Sequence, residues 1–252
     1  MGASLPILTF HTLDEASSVI SFSPRVFRRG MAKLGEAGYR TIPLLEAADC
    51  LRRGQPFPDK GIVLTFDDGY QSVYEEAFPV LQRFKMLASV FLTVGNLGTA
   101  SASRLPSLQG RPMLSWMEIS EMSRHGVTFG AHTLTHPDLT GLPFHRAEAE
   151  IRQSKEIIEE RLSSPVTCFA YPFGRWDRPL RELVRQYFTC ACSDKLALSS
   201  KASDIYTLER VDACYLRTDR LFAVVFTRLF PWYILARNLP RRIRRALQEN
   251  SR

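Results

Sequence analysis

Gly61-Ile62-Val63-Leu64-Thr65-Phe66-Asp67-Asp68-Gly69-Tyr70 is an apolar run that stops at two adjacent acids and a glycine. A run so rich in β-branched and aromatic side chains predicts a buried strand. Neighbouring residues on a regular strand point to opposite faces. Asp67 and Asp68 can therefore serve one site only if the chain turns there, and Gly69 supplies the turn.

Outward from this stretch, short apolar runs alternate with helical patterns. The expected strands are 5–10, 62–66, 88–94, 127–131, 166–171, 188–192 and 207–211. The expected helices are 24–37, 70–84 with a bend at Pro79, 114–124, 144–162 and 178–186. Such alternation predicts parallel strands with helical crossovers, an α/β fold, and six or seven units fit a barrel better than an open nucleotide-binding sheet. Residues 95–112 are rich in Gly, Ser and Pro and read as a long loop. No internal repeat or interdomain linker interrupts residues 1–216, which read as one domain.

In α/β folds chemistry gathers at the carboxyl ends of the strands. His11 follows the first strand, Asp67 and Asp68 the second, His132 and His136 the fourth, and Pro172-Phe173-Gly174 the fifth. Two imidazoles and one carboxylate form a facial triad for Zn, Fe, Co, Ni or Mn, with positions left for water and substrate. Spacing of i and i+4 lets His132 and His136 meet if residues 133–135 make a helical turn, which Pro137 then ends. One of the two acids can bind metal while the other takes a proton from an activated water. This is the equipment for metal-assisted hydrolysis of an amide or ester.

Thr65-Phe66-Asp67-Asp68-Gly69-Tyr70, Gly130-Ala131-His132-Thr133-Leu134-Thr135-His136-Pro137-Asp138-Leu139 and Phe169-Ala170-Tyr171-Pro172-Phe173-Gly174 resemble successive motifs of the polysaccharide deacetylases with a NodB homology domain, carbohydrate esterase family 4. Ile7-Leu8-Thr9-Phe10-His11 resembles the opening strand of some members. The resemblance spans roughly 11–211. It implies an irregular (β/α) barrel of about seven strands, one divalent metal, zinc first among the candidates, and removal of acetyl from an N-acetylated sugar or glycan. It implies Asp67 as general base and Asp68, His132 and His136 as metal ligands. It also places the Phe173 N–H as oxyanion donor, with Tyr171, Gly174 and Arg175 around the substrate. Trp176 and Asp177 follow, Asp177 having the plainer reading of a helix cap. Asp138 is expected to orient the histidine loop.

Two departures bear on the chemistry. Many members carry Arg, paired with the base, where this chain has Ala170, and many carry a late His where this chain reads Leu208-Glu209-Arg210-Val211. Arg210 is the candidate to reach Asp67 from another strand, and His11 the candidate acid or substrate ligand. A deformylase or esterase with the same site, and a catalytically inactive glycan-binding domain, are the alternative readings. His125 and His145 fall away from strand ends and have no expected role.

The chain has 252 residues and is 45% hydrophobic, enough for one sizeable core. Its five cysteines include no CxxC pair, which excludes a disulfide framework; Cys190 and Cys192 read as small core thiols. The opening MGASLPILTF has no basic, then long apolar, stretch, so cytoplasm is the expected compartment. Residues 217–252 hold nine Arg against one Asp and one Glu, which accounts for the whole net charge of +7. That segment also contains LFAVVFTRLFPWYIL, too short to span a bilayer. Aromatics beside clustered arginines suit an anionic membrane surface, so peripheral attachment to the inner membrane face and a lipid-linked glycan substrate are expected. No nucleic-acid recognition motif accompanies the charge.

Overall fold

The computed structural model describes residues 4–99 and 110–249, with side chains as far as Leu239. The centre of the expected loop, 100–109, and the side chains of Arg241 to Arg245 lie outside the described residues.

Seven strands carry the fold: β1 (Ile7–Phe10), β2 (Gly61–Phe66), β3 (Ser89–Leu92), β4 (Thr128–Ala131), β5 (Cys168–Ala170), β6 (Cys190–Leu196) and β7 (Leu208–Asp212). They lie parallel in the order β1-β7-β6-β5-β4-β3-β2, and β2 pairs back onto β1, so the sheet closes into a barrel. Leu8 of β1 sits opposite both Val211 of β7 and Leu64 of β2. The pairing of β6 with β7 shifts register between Leu208 and Arg210, which makes the barrel irregular. A short segment, Arg40–Thr41, pairs onto the start of β2.

Both strand faces are buried, which is why the strands read as continuous apolar runs. Ile7, Val63, Phe91, Ala170, Cys192 and Leu208 cluster inside the barrel. Leu8, Leu64, Val90, Phe129, Phe169 and Val211 join the layer between the barrel and its helices. The bore is narrow: a Cβ on Gly130 would stand 2.6 Å from the Phe91 ring, so glycine is required where that ring crosses. Cys190 and Cys192 face this core as free thiols, and Cys190 Sγ lies 3.4 Å from Cys168 Sγ.

Around the barrel run α1 (Pro24–Glu36), α2 (Leu44–Arg52), α3 (Phe78–Arg83), α4 (Trp116–Arg124), α5 (Phe144–Leu162) and α6 (Arg178–Tyr187). Ser115 and Glu118 form a capping box at the start of α4, and Asp177 caps α6 through the Leu180 N–H. The helix expected over 70–84 is instead a π-helical turn, Val73–Ala77, that leads into α3 with Pro79 in its first turn. A proline lacks the N–H and crowds the preceding turn, and a widened turn accommodates both. Strand β6 begins later and runs longer than the expected 188–192, because its polar end, Ser193-Asp194-Lys195, still pairs with β7.

The C-terminal segment begins as part of the same core. Helices α7 (Asp219–Phe222) and α8 (Phe230–Glu249) flank a 3-10 turn, and Phe222, Val225, Phe230 and Ile234 are buried. The Phe222 ring occupies the space over Gly30, where a Cβ would come within 2.7 Å of it.

Candidate active site

At the carboxyl end of β2 the turn needs two left-handed residues, Asp68 (φ 72°) and Gly69 (φ 84°). Aspartate tolerates that conformation better than most residues. The consequence is a divergence of the two acids. Asp67 keeps the inward direction of the strand and is buried, while Asp68 leans toward β4.

Arg210 rises from β7 inside the barrel and donates Nη1 and Nη2 to the two Asp67 oxygens, at 2.8 and 2.7 Å. Its Nε donates to the Ser193 carbonyl at 3.0 Å. The guanidinium is thus aimed by three bonds. Burial pushes the Asp67 carboxyl up, but Arg210, His132 and His11 outweigh it and hold the group below its ordinary range. His11, at the end of β1, brings Nε2 to 3.9 Å from Asp67 Oδ2.

Asp68, His132 and His136 converge on one point. His132 Nε2 and His136 Nε2 are 3.2 Å apart, and each lies 3.4 Å from Asp68 Oδ1. Ligand atoms about 2.0–2.2 Å from a metal, at tetrahedral or octahedral angles, are roughly 2.9–3.5 Å apart, so the triangle fits a divalent ion. His132 Nδ1 faces the Ala170 carbonyl at 2.7 Å; donating there leaves Nε2 its lone pair for a metal. Burial and His132 push the His136 imidazole down to about 4. Burial would also lower His132, yet Asp68 and Asp67 hold it above its ordinary value. Burial raises the Asp68 carboxyl, but the two histidines more than reverse that.

The histidine loop is not the helical turn expected from i, i+4 spacing. Thr133 (φ 67°) and His136 (φ 60°) are left-handed. The loop is fixed by contacts distant in sequence, which local spacing does not reveal. Glu150 of α5 accepts the N–H groups of Leu134 and Thr135, each at 2.8 Å, and the Thr135 hydroxyl at 2.7 Å. Thr133 Oγ accepts the His136 N–H at 3.0 Å. Gly95 donates to the Leu134 carbonyl at 2.7 Å, and a Cβ there would collide with the same oxygen. Glu150 was not among the expected residues; its one sequence signal is a charge on α5 facing the barrel side.

Phe173 is left-handed (φ 56°, ψ 10°), and its exposed ring meets the His136 ring edge to face at 4.7 Å. Gly174 is indispensable to this turn, since a Cβ would come within 2.2 Å of the Asp194 backbone. Arg175 sits on the rim and pairs with Asp138, whose other oxygen caps Thr140; this ties the Pro172 turn to the histidine loop. Tyr171 corrects the expectation of a substrate contact. On β5 the bore takes Cys168 and Ala170, so Phe169 and Tyr171 point the other way, into the helix layer. Tyr171 is fully buried against Phe169, and among the described residues its hydroxyl has no hydrogen-bond partner. His125 ends α4 and bonds the Glu121 carbonyl, away from the site.

Comparison with known proteins agrees with this architecture. A sequence model of the polysaccharide deacetylase family matches residues 54–188, over half of the chain, taking in both acids, both histidines and the Pro172 turn. His11 and Arg210 fall outside that span. A poly-β-1,6-N-acetyl-D-glucosamine N-deacetylase of Escherichia coli K12 is 33% identical over 135 residues, 50% of this chain but 20% of that protein. The Bacillus subtilis protein YxkH, provisionally named a polysaccharide deacetylase, is 27% identical over 83% of this chain and 71% of its own length. Among solved structures, IcaB from Ammonifex degensii superposes with a TM-score of 0.75 at 26% identity, covering 89% of this chain and 96% of its own. The Streptococcus pyogenes deacetylase PplD, at 23% identity and a TM-score of 0.75 over 84% of this chain and 93% of its own, shares the fold. The chain belongs to the polysaccharide deacetylase family.

Proposed function

We propose that the chain is a metal-dependent carbohydrate N-deacetylase that removes acetyl from an amino sugar within a glycan. The observation that carries the reading is the division of labour between the adjacent acids: Asp68 joins two imidazoles, and Asp67 stands beside them, ionised and gripped by Arg210. A binding module has no use for such a buried, oriented carboxylate.

Asp68, His132 and His136 would hold the divalent ion, with zinc the first choice for two imidazoles and a carboxylate. When bound, the ion supplies Lewis acidity, which makes a water easier to deprotonate and draws charge from the acyl oxygen. Asp67 accepts the water's proton. Arg210 keeps Asp67 ionised and aims it, the role the resemblance gives to an arginine at position 170. The Phe173 N–H, at the lip beside His136, donates to the oxyanion. His11 returns a proton to the departing amine, which must leave protonated. Arg175 and Trp176 on the rim meet the flanking sugars.

The names of the N-acetylglucosamine-polymer relatives make β-1,6-linked N-acetylglucosamine oligomers the first substrate to try. The substrate form we favour is a glycan carried at a lipid surface, in view of the C-terminal segment. The test is acetate release from such oligomers by the zinc-loaded protein, beside N-formyl and O-acetyl analogues. Release from the N-acetyl sugar that disappears in Asp67→Asn supports the proposal. Turnover of the formyl or O-acetyl analogue alone would replace it with a deformylase or an esterase, and oligomer binding without turnover with a glycan-binding domain.

A further inference from the structure

Hydroxyls deep in the barrel bore satisfy one another, and one at its mouth does not. The Oγ1 atoms of Thr9 on β1 and Thr65 on β2 are 2.9 Å apart, and the Thr65 hydroxyl also reaches the Leu8 carbonyl at 3.1 Å. Thr93, the residue after β3, is 1% exposed, and among the described residues its Oγ1 has no hydrogen-bond partner. Burying a hydroxyl unpaired costs stability, so its surroundings matter.

The pattern of β3 gives the direction of this side chain. Leu92 and Val94, on either side of Thr93, belong to the layer between barrel and helices, while Phe91 belongs to the bore. Thr93 has extended backbone (φ −85°, ψ 94°) and therefore turns inward, above Phe91. The unpartnered Tyr171 hydroxyl differs, because it points into the helix layer.

The neighbours of Thr93 are two of the three residues that would hold the metal. On one side its N–H donates to the Asp68 carbonyl at 3.3 Å. On the other, the register that sets Leu92 opposite Ala131 continues to set Thr93 opposite His132, whose N–H donates to the Leu92 carbonyl at 3.0 Å. To bring Oδ1 within 3.4 Å of His132 Nε2, the Asp68 side chain leans from the end of β2 across β3, over the position of Thr93.

The hydrogen-bond inventory then selects the partner. A hydroxyl has one hydrogen to donate. His132 offers it no acceptor, since Nδ1 faces the Ala170 carbonyl and Nε2 faces the metal position. Asp68 turns Oδ1 toward both histidines, and among the described residues its Oδ2 accepts no hydrogen bond. An idle donor and an idle acceptor thus meet at adjacent backbone positions. Carboxylates that bind metals are commonly held by such a bond through the oxygen the metal leaves free. We propose that Thr93 is a positioning residue of the metal centre: with an ion on Asp68 Oδ1, the Thr93 hydroxyl donates to Oδ2 and holds the carboxylate in that orientation. The inference rests on the metal-dependent reading above.

The test compares Thr93→Val, which keeps the shape without the hydroxyl, with Thr93→Ser, which keeps the hydroxyl. Thermal melting in chelator reports the metal-free fold, and competition with a chromophoric chelator reports zinc affinity. Thr93→Val should melt no lower than wild type without metal, yet bind zinc about tenfold or more weakly. Thr93→Ser should bind zinc like wild type. If Thr93→Val does not fold, Thr93→Ala against Thr93→Ser makes the same comparison, since the two differ by Oγ alone. Zinc affinity unchanged without the hydroxyl, or equally weak in Thr93→Ser, would overturn the proposal. So would a metal-free melting loss in Thr93→Val as large as its loss with zinc, which would assign Thr93 to packing. A wild type that takes up no zinc would overturn the metal-dependent reading itself, and this inference with it.

Discussion

Arg210 holds both carboxylate oxygens of Asp67 across the barrel bore, from a strand 143 residues further along the chain. A buried carboxylate gripped in this bidentate way is at once ionised and oriented. Arg210→Met is expected to lower kcat/KM by about 10²–10⁴, the range for a positioned acid–base group, and to destabilise the fold by about 3–5 kcal/mol through the unpaired buried charge. Steady-state kinetics and denaturant melts check both. A wild-type rate would remove Arg210 from the machinery.

The same contact sets a pH dependence. The folded-state pKa of Asp67 lies below the unfolded value, so its stabilising contribution is present above the unfolded carboxylate pKa and is lost as pH falls through the folded one. For a general base, the acid limb of kcat/KM follows the same group. Arg210→Met should shift that limb to higher pH, because burial then acts without its counter-charge. A profile that keeps its acid limb in place would show that another group titrates there.

Metal content can be measured without any guess about substrate. Near-stoichiometric metal in the purified or reconstituted wild type, lost in His132→Ala/His136→Ala, is the expected result by mass spectrometry. A wild type that takes up no divalent ion would leave the inactive glycan-binding reading in place.

Glu150 makes three bonds to the loop between the two histidines without reaching the ligand atoms. Glu150→Gln keeps its shape but loses the charge that accepts two N–H groups, and metal affinity should fall by about 10- to 100-fold, as for other supporting residues. Titration with zinc, alongside a melting curve that stays close to wild type, separates this from loss of the fold. Unchanged affinity would leave Glu150 a surface contact.

Tyr171 and Gly174 give opposite expectations three residues apart. Tyr171→Phe removes a buried hydroxyl that lacks a partner among the described residues, so stability should hold or rise and turnover should not change. Gly174→Ala forces a Cβ onto the Asp194 backbone at a left-handed position, and should cost at least about 2 kcal/mol. Chemical melts of both variants decide.

Much of this was legible in sequence. The strands are buried on both faces, so each shows as an apolar run, and the turn after Phe66 announces itself by Asp-Asp-Gly. Arg210 could be named because the family that the motifs resemble pairs its base with an arginine, while position 170 is alanine here and the late strand carries Arg210. What stayed hidden depends on tertiary contacts. The His132–His136 loop looks helical by spacing, yet Glu150 and Gly95 hold it in a left-handed course. Tyr171 sits in the same motif as Phe173, but the strand's alternation turns it away from the mouth. The π turn before Pro79 satisfies a backbone need that side-chain patterns do not encode.

The closure of β1 against both β2 and β7 has a bearing on synthesis. A ribosome delivers Asp67, Asp68, His132 and His136 well before it delivers Arg210. Until β7 emerges, Asp67 lacks its arginine, and one edge of β1 has no neighbour. The last strand therefore seals the sheet and supplies the arginine that pairs the bore's acid in one event, so barrel closure and charge pairing arrive together.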